Sequence, residues 1–197
     1  MKIWGLVLWC FSIASWACAA SSPMRFVQEN VNRVLSVLED PHIQGDRAKT
    51  ARMEKLSAIT DGFFDPIELS RRALGQYWRM LSPEEQQEFS VLFLQLIKQT
   101  YLDKFDAYNN QGVRYEQEVF QSPTQATVLL TASTDKGPLH IQVNLIQTPN
   151  GWKAFDIVLE NISLVRNYRT QFQSILQSNA PHNLIAILKE KVHGSTP

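Results

Sequence analysis

The chain has 197 residues, with nineteen Lys and Arg against nineteen Asp and Glu, a formal net charge of zero. That balance, without a basic tail, offers nucleic acid no electrostatic hold and excludes a role built on it. Both cysteines, Cys10 and Cys18, lie near the N-terminus, so no disulfide framework is available to hold the rest of the chain.

The N-terminal stretch has the layout of a secretory signal peptide. Lys2 is the only charge before Arg25, residues 3–16 are apolar apart from Ser12 and Ser15, and Ala17-Cys18-Ala19 supplies the small-x-small end. We place the cut after Ala19, giving a signal peptide over residues 1–19 and one domain over residues 20–197. Two alternatives stand beside it. An uncleaved anchor has to work with an apolar stretch at the short limit of the ~20 residues that span a bilayer. A lipoprotein cut before Cys18 has to follow Ser15-Trp16, a poor lead-in. Cleavage leaves about 178 residues, no cysteine and a net charge of about −1. A chain of that length buries a sufficient core in a single domain, in an exported compartment where disulfides are allowed but unused.

In chain order, Val27, Val31, Val34, Leu35 and Leu38 share a helical face, which Asp40-Pro41 closes. A charged helix is expected over residues 46–60, with Ala51, Leu56 and Ile59 inward. "DPIE" then starts a helix, with Asp65 as cap, Pro66 in the first turn and Glu68 reaching back to the cap backbone. "SPEE" repeats the logic with Ser82, Pro83 and Glu85. The helix it opens is the most apolar of the chain: Phe89, Leu92, Phe93, Leu96, Ile97, Tyr101 and Phe105, widened by Val91 and Leu94. Such a helix is expected to be buried on more than one side.

From Val113 the period changes to two. Val113, Tyr115, Gln117 and Val119 alternate with Arg114, Glu116 and Glu118. Val128, Leu130 and Ala132 alternate with threonines, and Ile141, Val143 and Leu145 with His140, Gln142 and Asn144. Phe155, Ile157 and Leu159 share a face of a fourth strand. Breaks at Ser122-Pro123, Lys136-Gly137-Pro138 and Pro149-Asn150-Gly151 make the four strands an antiparallel meander. Leu164, Val165, Tyr168, Phe172, Ile175 and Leu176 return to a helical face, and Leu184, Ile185 and Leu188 form a last short one. Helices followed by strands predict an α+β fold: a helical N-terminal half and C-terminal helices packed on one side of a curved, mainly antiparallel four-stranded sheet.

Catalytic signatures are lacking. The four histidines, His42, His140, His182 and His193, are scattered, and there is no H-E-x-x-H, G-x-S-x-G, phosphate-cradling glycine loop or cysteine nucleophile. No metal site and no cofactor are expected. Asp156 and Glu160 share a strand face, which fits the solvent side of a half-buried strand better than a pair of catalytic carboxylates. His140 is expected to be exposed for the same reason. What the chain has instead is apolar area, enough either for a well-packed core or for sheet and helices that leave an apolar cavity between them.

Two long stretches carry a family resemblance. "FFDPIELSRRALGQYWRMLSPEEQQEFSVLFLQLIKQTY" resembles the helical half of the MlaC-type, or toluene-tolerance, proteins. "GWKAFDIVLENISLVRNYRTQF" is similar to that family's G-W-x-V-Y-D-V-x-I-E-G-V-S-L-V-x-N-Y-R-x-Q-F, and "LIAILKEKV" to its tail. Asn161 stands where the family usually has Gly, and Phe155 where it often has Tyr. The resemblance implies a periplasmic carrier that binds phospholipid, or a hopanoid in some relatives, in an apolar cavity. It also implies partners: an outer-membrane lipoprotein complex and an inner-membrane ABC transporter complex. On this reading the tails are lined by Trp78, Phe93, Ile97, Tyr101, Val128, Leu130, Ile141, Val143, Leu145, Phe155, Ile157 and Leu159. Arg166, Asn167, Tyr168 and Arg169 form the rim, with Arg166 or Arg169 meeting phosphate. The alternative for the rim is a strand-to-helix junction held by Asn167 and a packed Tyr168; for Trp78 it is a place in the core. A monomer is expected.

Two functions of other classes compete. A small-pocket enzyme would use Asp156 or His140 as a base and needs that face to point inward. A periplasmic chaperone module would bind protein segments on its apolar surface.

Overall fold

The computed structural model describes residues 22–43, 45, 48–102 and 112–194. The expected signal peptide over residues 1–19, both cysteines, Asp46 and Phe105 lie outside the described residues. Six α-helices are described: α1 (Pro23–Glu39), α2 (Lys49–Phe63), α3 (Pro66–Leu74), α4 (Pro83–Tyr101), α5 (Leu164–Leu176) and α6 (Pro181–Gly194). Five strands, β1 (Val113–Ser122), β2 (Gln125–Thr134), β3 (Gly137–Thr148), β4 (Gly151–Leu159) and β5 (Ile162–Ser163), pair in sequence order. Every neighbouring pair is antiparallel.

The α+β meander is present, with five strands rather than the expected four. The fifth is the two-residue β5, joined to β4 by Glu160-Asn161, both at positive φ (46° and 66°). From sequence alone β4 ran straight into a helix, because Asn tolerates this conformation but Glu gives no warning of it.

Local signals set the helix starts. Ser22, Asp65, Ser82 and Ser163 each accept a backbone N–H of the following first turn. At α4 the reciprocal Ser82–Glu85 pair is complete. At α3 it is not. The Asp65 N–H is taken by the Ala154 carbonyl at 2.8 Å where residue 64 bridges β4, so Glu68 turns to Arg71 and Arg72 instead (2.6–2.7 Å). In α2 the expected inward Ala51 is exposed, and Arg52 is buried, donating to the Ile43 carbonyl at 2.9 Å.

Two strands carry bulges that re-aim side chains. In β1 a register shift between Tyr115 and Gln117 puts Glu118 opposite Val128 and Val119 opposite Thr127. The expected alternation therefore fails after Tyr115. Val119 joins the outer face, 36 % exposed, and Glu118 joins the helix-bearing face. There its carboxylate accepts the Met24 N–H at 2.6 Å, at the electropositive first turn of α1. In β4, Phe155 is the extra residue, since Asn144 pairs with Asp156 and Leu145 with Ala154.

Helix α1 packs on β1 and β2, and α2, α3 and α5 pack beside β4. Helix α4 lies on α3 and α6. One contiguous core joins all of these layers through Val27, Leu69, Leu74, Phe89, Phe93, Val128, Leu145, Phe172 and Leu188.

Candidate functional site

Directly opposed residues of an antiparallel sheet point to the same face, so register assembles the helix-bearing face row by row. The deepest row holds Ala126, Leu145 and Ala154, exposed by 1 % or less, and ends on the β1 edge at Phe120, 53 % exposed. The next holds Glu118, Val128, Val143 and Ile157, and the third Tyr115, Leu130, Ile141 and Leu159. Burial falls along β3 and β4, from Leu145 and Val143 to the half-buried Ile141 and from Ala154 to the half-buried Ile157 and Leu159, whereas Val128 and Leu130 of β2 stay buried. Along β3 and β4 the inner face is thus closed at the end of their shared turn and open at the opposite end, where β5 turns back.

The helical wall is aromatic. Phe89 and Phe93 of α4 meet Tyr168 and Phe172 of α5 edge-on or tilted, with ring centroids 5.0–5.7 Å apart. Trp78, on a 3-10 turn over Gly75–Met80, and Ile97 of α4 are buried in the same core, and Tyr101 is half-buried against it. Of the twelve side chains assigned to the tails, eleven thus lie in or beside the inner face. Phe155 is held differently: it is buried beneath the Arg72 guanidinium, whose carbon stands 3.7 Å from the ring centroid.

The Asn-Tyr-Arg cluster of α5 divides by role. Tyr168 is buried in the aromatic wall with its hydroxyl 3.5 Å from Thr100 Oγ1, and burial raises its pKa. Arg169 reaches across to α3 and donates from Nε, at 2.9 Å, and from Nη2 to the Arg72 carbonyl. Asn167 is exposed and accepts from Gln171. Arg166 is exposed in the first turn of α5. Around them the surface is basic: α3, the 3-10 turn and α5 carry Arg71, Arg72, Arg79, Arg166 and Arg169 against Glu68 alone. Burial works against the charge of Glu68, but hydrogen bonds from Arg71 and Arg72 outweigh it and hold its pKa below the ordinary carboxylate value.

Asp156 corrects an expectation. It is buried, not on a solvent side: its carboxylate accepts the Ser163 hydroxyl at 2.7 Å and the Val165 N–H at 3.0 Å. Because β5 is only two residues long, the chain enters α5 beside β4, where this carboxylate satisfies a free first-turn amide. His140 is exposed as expected and lies 3.0 Å from Thr131 Oγ1 on the outer face. There Gln121, Thr127, Asn144 and Gln142 join in a further hydrogen-bonded ladder. Among the described residues no group of His, Cys, Asp and Glu is arranged to hold a metal.

One concavity was not anticipated. A groove of about 770 Å³ runs between α2 and α4, with Met53, Val91, Leu94 and Leu102 among polar neighbours that include Asp61 and Lys98. Helix α4 is thus apolar toward the core and again toward this groove, which accounts for the width of its apolar face. Val91 and Leu94 were the sequence signal for it.

The chain resembles proteins of known kind along most of its length. It is 24 % identical to the toluene tolerance protein ttg2D of Pseudomonas putida, over 82 % of this chain and 76 % of that protein. It is 22 % identical to the intermembrane phospholipid transport system binding protein MlaC of Haemophilus influenzae, over 93 % of this chain and 88 % of that protein. Its fold matches the solved structure of the phospholipid-binding protein from Ralstonia solanacearum in complex with a phospholipid. That match has a TM-score of 0.76 and 24 % identity, and covers 88 % of this chain and 98 % of the other. The family model described as MlaC protein matches residues 28–190, and the chain belongs to the MlaC family.

Proposed function

We propose that this chain is a periplasmic phospholipid carrier, shielding acyl tails between the inner face of the sheet and the helices. The observation that carries the reading is the inner face, apolar apart from Glu118 at its β1 edge and graded in burial along β3 and β4, in a member of the MlaC family. The relatives named for phospholipid binding and intermembrane transport support it. No helix among the described residues is long and apolar enough to cross a membrane, which suits a protein that travels between two.

Energetics require such a container. Two acyl chains with roughly thirty methylenes cost on the order of 20 kcal/mol to expose to water. Val128, Leu145 and Phe93 are fully buried, so tails that reach them displace the helices from the sheet rather than fill a ready void. The groove on the far side of α4 gives that helix room to yield. At the rim, Arg169 is committed to the Arg72 carbonyl, which leaves Arg166 as the guanidinium free to meet a headgroup phosphate. Burial this deep makes spontaneous release slow. Handover therefore needs docking to a partner that favours the open state: an outer-membrane lipoprotein complex on one side and an inner-membrane ABC transporter complex on the other. None of these steps requires a catalytic group.

The test is mass spectrometry of an organic extract of the mature protein, purified from a periplasm without detergent. Phospholipid at about one molecule per chain is expected, and the species found separates phospholipid from hopanoid. A folded, pure protein that yields no lipid would overturn the reading.

A further inference from the structure

We infer that acyl tails enter and leave at the β4–β5 hairpin, with Ile162 as the apolar lip of the portal. The inference rests on the carrier reading. The third row of the inner face does not stop at Leu159. Leu159 pairs with Ile162 of β5, so Tyr115, Leu130, Ile141, Leu159 and Ile162 form one apolar row across all five strands. Exposure rises along it, from 3 % at Leu130 through the half-buried Ile141 and Leu159 to 65 % at Ile162. An apolar row that begins in the core and ends in water is a path for an acyl chain.

The hairpin is built to hold Ile162 out. Glu160 and Asn161 take a backbone conformation that side chains other than Gly rarely adopt. The turn is fixed to β3 twice, by the Glu160 N–H on the His140 carbonyl at 3.1 Å and by the His140 N–H on the Glu160 carboxylate at 2.7 Å. Arg166 follows Ile162 by four residues on the exposed first turn of α5, which sets a phosphate-binding cation beside the place where tails would pass. Two other large apolar exposures are set differently. Val91, 56 % exposed, faces the α2–α4 groove, which no sheet residue lines and where Glu54, Asp61, Gln95 and Lys98 interrupt the apolar wall. Phe120, 53 % exposed, ends the deepest inner row at the β1 edge against Trp152, but its row neighbours Ala126, Leu145 and Ala154 are exposed by 1 % or less, so no half-buried step leads from that core to water.

Photocrosslinking tests the assignment on the lipid-loaded, full mature chain. Ile162, Val91 and Phe120 are replaced singly by p-benzoylphenylalanine; all three are exposed, so the fold tolerates the ring. The intact proteins are irradiated and weighed. The expected result is a phospholipid adduct at position 162 with at least tenfold the yield at 91 or 120. A smaller ratio, or no adduct at 162 while the organic extract still contains lipid, overturns the portal and leaves the carrier reading standing. An extract of the wild-type protein without lipid removes both.

Discussion

Arg166 and Arg169 lie on the same helix three residues apart, yet only one of them is tied down. Arg169 closes the gap between α5 and α3 by satisfying the Arg72 carbonyl, a charge-assisted bond whose loss leaves that acceptor unmet. Arg169→Ala is therefore expected to cost about 1–2 kcal/mol, or roughly 3–6 °C in Tm for a chain of this size, by thermal unfolding. Arg166→Glu should leave stability within about 0.5 kcal/mol, because the side chain is exposed. It should instead lower the amount of phospholipid in the organic extract. Unchanged lipid content in Arg166→Glu would remove Arg166 from the rim. Glu68 gives a pH dependence of definite sign. Its folded-state pKa is lowered, so its stabilising contribution is complete above the unfolded value near 4.5 and is lost as pH falls through the lower folded value. The stability difference between wild type and Glu68→Gln should accordingly shrink below pH ~4.5 in denaturant titrations. A constant difference through that range would show that the carboxylate's charge is not what matters.

Among the elements, the joints matter more than the helices and strands they join. Two strand carboxylates each complete the first turn of a helix from another part of the fold: Glu118 at α1 and Asp156 at α5. Asp156→Ala removes the acceptor for both the Ser163 hydroxyl and the Val165 N–H, and about 2 kcal/mol of destabilisation is expected, read as a lower urea midpoint. Glu118→Ala should cost less, about 1 kcal/mol. Its distinctive effect should be faster amide hydrogen exchange confined to the N-terminal half of α1, whose docking on β1 it secures. Exchange raised evenly over the whole molecule would argue against that local role. Neither carboxylate was legible as a cap. Glu118 reaches α1 only because a bulge at Glu116 turns it inward, and Asp156 reaches α5 only because β5 is so short.

At the scale of the whole molecule, the proposed binding site in its closed form is the contact between two walls, the sheet and the helices. A charge on the inner face should then separate folding from carriage. Val143→Asp places a carboxylate in the middle row, between Val128 and Ile157. An unpaired buried charge there costs several kcal/mol, while Ile141→Asp at the half-buried open row is milder and keeps the test usable if the first variant does not fold. Folded Ile141→Asp, checked by circular dichroism, is expected to lose most of its lipid. Full lipid content in that variant would place the tails elsewhere, with the α2–α4 groove the first place to look.

The sequence by itself determined what depends on near neighbours: the capped starts of α3 and α4, the two-residue period of the strands, the turns between them, and the α+β order of elements. Its long motifs also carried the family, because "GWKAFDIVLENISLVRNYRTQF" and the α3–α4 stretch are extended enough to be specific. Tertiary structure alone decided which side each side chain serves. A single inserted residue in β1 reversed the facing of Glu118 and Val119, and one in β4 put Phe155 beneath Arg72. Contacts distant in sequence gave Arg169 to Arg72 and Asp156 to α5. A period of two names a strand but not its bulges, and a polar residue does not announce a partner that folding brings from far along the chain.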